Sequence, residues 1–444
     1  MRQSNDGMLG AMPVPRLVVT MSLPIMLSML ISAVYNLVDS VYVAQYSDEA
    51  FLALSYAYPI QMLLVAFCSG IGVGFSAIFS RRLGEGDQEQ AASAVCHGFF
   101  LYGLCWLLFL LFALTGAAPF LRLSTEDPSV ARQGAQYLLI CCGLSIGTCM
   151  QFLTERILQA MGRPAGFMIV QGSGAILNLI LDPIFIFVLD LGVAGAAAAT
   201  VIGQISGALI GFWLVYRLRH QLPIRLRGFR PRGEMLAEMG RVAAPAVVMQ
   251  SLSSFMSLGL NQLLTRWSQS AVFVLGAYFK LQTFIFMPIF GISSGLIPIL
   301  SYNYGSGALR RVSASVRFGQ QFTAVLSLSG ALLLSLLASP LLRSAFRASP
   351  EALAMGAPAL RIIALSFFFA GTSIIFCSAF QSLGRSRWSL LVALLRQILL
   401  LLPAAALLLA LKPALVWAAF PLSELISCFA AALLYRRTIQ KQLL

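Results

Sequence analysis

Charge is what this sequence has least of. Asp, Glu, Lys and Arg make up 10% of the 444 residues, against about a quarter in soluble globular chains. Hydrophobic residues make up 59% and the mean hydropathy is +0.85. No aqueous fold hides that much apolar surface, whereas a bilayer solvates it. Histidine is nearly missing: His97 and His220 are the two. With no HExxH and no deep Ser–His pair, an intramembrane metalloprotease or a histidine-dependent acyltransferase is not expected. No GxxxxGK[ST] loop is present, which removes ATP hydrolysis by that route. The eight cysteines lie mostly inside apolar runs, among them Cys68, Cys141, Cys142, Cys149 and Cys377. None has ligand spacing with histidine, so they read as small apolar fillers. No enzyme, cofactor or resident metal is expected. Met1 to Pro15 also lack the short apolar core and cleavage site of a signal peptide, so the first apolar segment is expected to act as the insertion signal.

What is present is apolar sequence in span-length runs. Twelve helices are predicted, over 15–43, 50–80, 88–115, 129–160, 164–188, 192–219, 234–265, 269–304, 308–336, 350–383, 386–411 and 413–438. Prolines inside them, including Pro24, Pro59, Pro183, Pro245 and Pro403, predict kinks. The net charge of +14 comes from loops rather than from a nucleic-acid patch. Eighteen basic residues, such as Arg81, Arg82, Arg225, Arg227, Arg310 and Arg311, fall in one set of loops and the termini. The opposite loops hold five: Arg122, Arg266, Arg343, Arg347 and Lys412. This asymmetry puts both termini in the cytoplasm. Small molecules and the bilayer are the expected partners, nucleic acid is not, and a monomer is expected.

The chain repeats itself. An offset of 221 residues aligns Pro24 with Pro245, Ser32 with Ser253, Ala50 with Ala271 and Gln61 with Gln282. The densest match sets GIGVGFSAIFSRRLGEG at 70–86 over GISSGLIPILSYNYGSG at 291–307. QAMGR at 159–163 matches QSLGR at 381–385 with one more residue of offset. Two six-helix halves must share one orientation, because six is even. That is the parallel-repeat plan of some secondary transporters. The expected division is an N-lobe over 1–219, a cytoplasmic linker over 220–233 and a C-lobe over 234–444.

Several stretches resemble one family. YNLVDSVYVAQYSDEAFLALSYAYPIQMLL at 35–64 and GIGVGFSAIFSRRLGEGD at 70–87 look like the first two helices of multidrug and toxic compound extrusion (MATE) transporters. LNLILDPIFIF at 177–187, GVAGAAAATVIGQ at 192–204, QSLGRSR at 381–387 and FPLSE at 420–424 extend the likeness along the whole chain. The MepA-like and DinF-like multidrug branch is the most similar by eye. The resemblance implies an all-α integral membrane fold of the MOP superfamily, with twelve transmembrane helices in two pseudo-symmetric six-helix bundles. It also implies export of amphipathic organic cations across a bacterial inner membrane, driven by protons or sodium. A lipid-linked saccharide flippase of the same superfamily is the rival reading.

An ionisable residue inside a span is expensive and marks function by default. From the predicted orientation, Tyr35, Asp39, Tyr137, Asn178, Asp182 and Thr200 fall at comparable depth in the outer half of one lobe. Asn178 and Asp182 are four apart, as are Tyr35 and Asp39, so each pair shares a helix face. Two close carboxylates in a low dielectric resist carrying two charges together, which suits a proton carrier. The same oxygens suit a sodium ion. The repeat supplies a control: Asp39, Asn178, Asp182 and Thr200 align with Leu260, Leu399, Pro403 and Pro421. In the MATE family the matching positions form an N-lobe cation site, and the resemblance carries that role to the six residues. Some members use acids on the seventh and tenth helices instead. Here those helices carry none beyond Glu234, Glu238 and Glu351, which argues against that sodium-driven type.

The drug surface is expected to be apolar and adaptable. Gln61, Met62, Met256, Tyr278, Lys280, Gln282 and Met287 are candidates for a substrate cleft, methionine for its flexibility and aromatic faces for organic cations. Lys280 reads equally as a partner for a carboxylate or as a snorkelling interfacial residue. Pro24 is the expected hinge of the first helix. Arg396 and Glu424 are expected to pair, and Glu155 and Arg156 to sit near a helix end.

Overall fold

The computed structural model describes residues 8–218, 220, 229–346 and 348–440, which are helical with no strand. Most of the expected linker over 220–233 lies outside them, as do Arg2, Arg219, Arg225, Arg227, Arg347 and Lys441. The first half comprises α1 (Val14–Tyr46), α2 (Asp48–Glu85), α3 (Gln88–Thr115), α4 (Pro128–Gly143), α5 (Ile146–Ala160), α6 (Pro164–Pro183) and α7 (Gly192–Arg217). The second comprises α8 (Gly233–Thr265), α9 (Gln269–Gly305), α10 (Leu309–Pro340), α11 (Pro350–Ala364), α12 (Phe367–Ser382), α13 (Ser386–Leu394), α14 (Leu401–Leu411) and α15 (Ala419–Tyr435). A short helix, Ala117–Ser124, not expected from the sequence, precedes α4.

Among the described residues ten helices are long and apolar enough to cross a membrane, and twelve spans result when each of two bent pairs counts once. The start signals are local. Ser47 accepts from the Ala50 N–H, Asp87 from Gln90 and Asp127 from Ser129, satisfying N–H groups a helix start leaves open.

The two bent spans are α4–α5, at 43°, and α11–α12, at 42°. Both were expected as single helices. Each breaks at a Leu–Ser pair, Leu144–Ser145 and Leu365–Ser366, and the pairs are separated by the repeat's own 221 residues. Proline has no part in either break. The buried Ser145 hydroxyl donates to the Cys142 carbonyl at 2.7 Å, and that of Ser366 to Ile363 at 2.6 Å. Each hydroxyl adds a side-chain donor to a carbonyl that already accepts the serine's own backbone N–H, which reinforces the irregular turn inside the protein.

The chain forms two compact units. One is Met1–Ala11 with Leu27–Val247, and the other is Met12–Met26 with Val248–Leu444. The boundaries after Met26 and Val247 fall inside α1 and α8, again 221 residues apart. Glycine explains where the ends of those helices go. In the first unit a Cβ on Gly70 would lie 2.7 Å from the Val247 backbone nitrogen, and one on Gly74 2.6 Å from the Met239 carbonyl. In the second a Cβ on Gly291 would meet the Met26 backbone at 2.7 Å, and one on Gly295 the Ser22 backbone at 3.1 Å. The glycines that dominate the internal repeat are thus where two helix backbones touch, the membrane use of small residues.

The core of the first unit is built from α2 to α5, with Phe75 and Phe79 stacked at 5.3 Å. The second is packed around α9, α11 and α15, where Tyr278 meets Phe420 edge-on at 5.2 Å. Large apolar side chains remain exposed outside these cores, including Leu111, Leu114, Leu209, Leu332 and Leu336, as lipid-facing surfaces require.

Candidate functional site

The site is built where α6 and α7 cross. Gly174 and Gly203 let the backbones touch: a Cβ on Gly203 would stand 2.6 Å from the Gly174 carbonyl oxygen, and one on Gly174 2.9 Å from that of Gly203. This approach brings Asn178, one turn beyond Gly174, to Thr200. Asn178 Nδ2 donates to Asp182 Oδ1 at 3.1 Å and reaches Thr200 Oγ1 at 3.4 Å. Past Asp182, α6 meets Pro183 and widens into the π-helical turn Ile184–Val188.

Asp39 comes from α1, and its carboxylate lies close enough to that of Asp182 for the two to interact directly. Asp182 is 0% exposed, Asn178 3% and Asp39 9%. Among the described residues, Asp39 Oδ1, Asn178 Oδ1 and Asp182 Oδ2 are buried with no hydrogen-bond partner. Buried oxygens are seldom left so, and leaving them so is costly. Three buried acceptors of this cluster therefore lack a donor.

Tyr137 is buried on α4, and its hydroxyl accepts from Gln61 Nε2 at 2.7 Å. Gln61, expected in the substrate cleft, is therefore tied to a residue expected in the coupling site. Tyr35 lines a small cavity of about 20 Å³ with Asn178, Thr200, Gln151, Gln171 and Gln204. All six residues expected from the sequence lie in the first unit: Asn178 bonds Asp182 and Thr200, Tyr35 shares the cavity with Asn178 and Thr200, and Asp39 lies beside Asp182, whereas Tyr137 bonds Gln61 instead.

Of the other cleft candidates, Met62 lies in the first unit and the rest lie in the second, where Met256 packs against the core that holds Tyr278. Met62, Met256, Gln282 and Met287 are half-buried, Lys280 is exposed on α9, and Tyr278 lies in the core of the second unit. Pro24 sits in a continuous α1, two residues before the unit boundary. Arg396 and Glu424 form the expected ion pair, with Nη2 to Oε1 at 2.9 Å and Nε to Oε1 at 3.1 Å.

Glu155 and Arg156 are near the end of α5 but are not solvated: they are 1% and 5% exposed. Gln151 Nε2 donates to Glu155 Oε1 at 2.9 Å, so the polar run from the cavity continues to a third buried carboxylate. Gln171 Nε2 donates to Ser32 Oγ at 2.6 Å, and the Thr148 hydroxyl to Gln204 Oε1. A signal for these residues was present. Thr148, Gln151 and Glu155 recur at spacings of three and four, as do Thr200 and Gln204, so each set occupies one helix face. At the 221 offset Glu155, Gln171 and Gln204 align with Phe376, Val392 and Leu425.

The likeness to known proteins agrees with this architecture. The multidrug export protein MepA of Staphylococcus aureus (strain MRSA252) is 26% identical over 402 residues, 88% of this chain and 86% of that protein. The FAD transporter of Shewanella oneidensis is 26% identical over 421 residues, 91% of this chain and 90% of that protein. A solved structure described as the outward-facing conformation of a multidrug resistance MATE family transporter of the MOP superfamily matches with a TM-score of 0.93. It is 22% identical and covers 99% of each chain. The MatE family model matches residues 24–184 and 245–407, one match in each half of the repeat. With its twelve-span helical fold, this chain belongs to the MatE family of membrane transporters.

Proposed function

We propose that the chain is a secondary active multidrug exporter that moves amphipathic organic cations outward in exchange for protons, with Asp39 and Asp182 as the coupling pair. The observation that carries this reading is the set of three partnerless buried oxygens on Asp39, Asn178 and Asp182. A proton arriving from outside neutralises one carboxylate and supplies the missing donor. The lobe then exchanges charge repulsion for a hydrogen bond, and α1, which carries Asp39, changes its packing about Pro24. Drug and proton oppose each other because they favour different charge states of one lobe. Both termini face the cytoplasm and the working unit is a monomer in a bacterial membrane.

Sodium antiport through the same oxygens is the second reading, favoured by an all-oxygen donor set. Uptake of an organic cation into inverted vesicles separates the two. Collapsing the pH gradient at constant sodium abolishes proton-driven transport, and continued transport refutes proton coupling. The FAD transporter relative and the flippase alternative raise anionic cargo. Export of FAD or of a lipid-linked saccharide precursor from liposomes, with organic cations failing to compete, refutes the cation assignment.

A further inference from the structure

Cys68 on α2, Cys105 on α3 and Cys149 on α5 are separated by 37 and 44 residues, a spacing with no metal signature in the sequence. The fold brings their sulfurs together: all lie within 4.8 Å of one another, and the Cys68 and Cys149 sulfurs are 3.7 Å apart. Cys68 and Cys149 are 0% exposed and Cys105 4%. With a metal–thiolate bond of about 2.3 Å, three sulfurs around one ion in a plane stand about 4.0 Å apart. The triangle is already close to that size, and ordinary rotation of the thiols completes it.

We propose that this triad is a binding site for a soft monovalent cation, with Cu(I) as the fitting ion. Thiolates select soft ions over hard, oxygen-seeking cations. Among the described residues the cluster offers three sulfurs and no fourth ligand from histidine or a carboxylate, which disfavours tetrahedral zinc and suits a trigonal ion.

Charge agrees with the choice. Each sulfur that bonds the ion as thiolate releases its proton to solvent, so Cu(I) held by two thiolates and a thiol leaves one negative charge. Buried net charge needs a counter-charge. Arg156 stands nearby: its Nε and the Tyr102 hydroxyl lie 2.8 and 2.9 Å from a Cβ placed on Gly72, and that hydroxyl donates to the Cys68 carbonyl at 2.9 Å. Arg156 is 5% exposed, and its Nε has no hydrogen-bond partner among the described residues. The Arg156 guanidinium, whose Nη1 donates to Gln159 Oε1 at 3.0 Å, stands one side chain, Tyr102, away from the Cys68 backbone and is the cation available to offset an anionic metal–thiolate centre.

The test is anaerobic titration of the reduced, full-length protein in micelles with Cu(I), in competition with bicinchoninate. One Cu(I) per chain is expected, with an X-ray absorption shell of sulfur alone. Cys105→Ser weakens binding by roughly tenfold or more, while Cys96→Ser and Cys428→Ser bind as the parent does. No uptake, an oxygen or nitrogen shell, or unchanged binding by Cys105→Ser overturns the proposal. If Cys105→Ser does not fold, the parent protein decides the matter. Bound Cu(I) shields Cys68, Cys105 and Cys149, but not Cys96 or Cys428, from alkylation on unfolding. Equal labelling of all five overturns it.

Discussion

Gly203→Ala tests whether the approach of α6 to α7 sets the chemistry of the site. The added methyl would lie 2.6 Å from the Gly174 carbonyl oxygen and 3.2 Å from Asn178 Cβ. Ordinary contact begins at 3.4 Å, so the helices must part by about 0.8 Å at this point. The Asn178–Thr200 contact, already 3.4 Å, then stretches to about 4.2 Å, beyond hydrogen bonding. Overpacking of this kind costs about 1–3 kcal/mol, so the protein remains folded but loses its placement of Asn178. The expected result is a lowered melting temperature in detergent, near-normal drug binding and severely reduced gradient-driven transport. Gly172→Ala on α6, where nothing lies within 4 Å of the added carbon, should behave as the parent. Full transport by Gly203→Ala would refute the claim that this crossing positions the site.

Three further outcomes follow from the geometry. Gly74→Val and Gly295→Val, one in each unit, press on the Met239 carbonyl and the Ser22 backbone. Both should fall in thermal stability by similar amounts, measured by fluorescence-detected size exclusion on heating; a loss in one alone contradicts the symmetric role. Arg396→Ala strands Glu424 in a buried position and should cost about 3–5 kcal/mol, whereas Arg396→Met combined with Glu424→Gln should recover most of it in the same assay. Glu155→Gln keeps a partner for Gln151 but removes the carboxylate, and should slow gradient-driven transport while leaving stability unchanged. Unaltered rates would confine the coupling path to Asp39 and Asp182.

The frame was legible because the bilayer imposes it. Span-length apolar runs, loop charges and a fixed repeat offset are long-range regularities, and each left a count in the sequence. Asp39, Asn178 and Asp182 stood out as candidates for a related reason: a charge or amide in an apolar helix contrasts with its surroundings, and their counterparts in the other half are Leu260, Leu399 and Pro403. Residues without contrast or local spacing were not. The bends at Ser145 and Ser366 depend on a hydroxyl finding a carbonyl three residues back, and serine is common in membrane helices that do not bend. The thiol triad joins three helices whose rotations the sequence does not reveal. Glu155 looked like a helix-end charge because hydropathy averages over a window and does not resolve faces. The unit boundaries inside α1 and α8 depend on which glycine-bearing helix each segment meets, a pairing set by packing alone.

The central claim is that proton and drug compete through the buried carboxylates of α1 and α6. Gradient-driven uptake of an organic cation into inverted vesicles, compared between the parent and Asp39→Asn at matched membrane levels, tests it most directly. The account predicts that Asp39→Asn still binds the drug yet loses the dependence of transport on the pH gradient. Full, gradient-dependent transport by Asp39→Asn would contradict it.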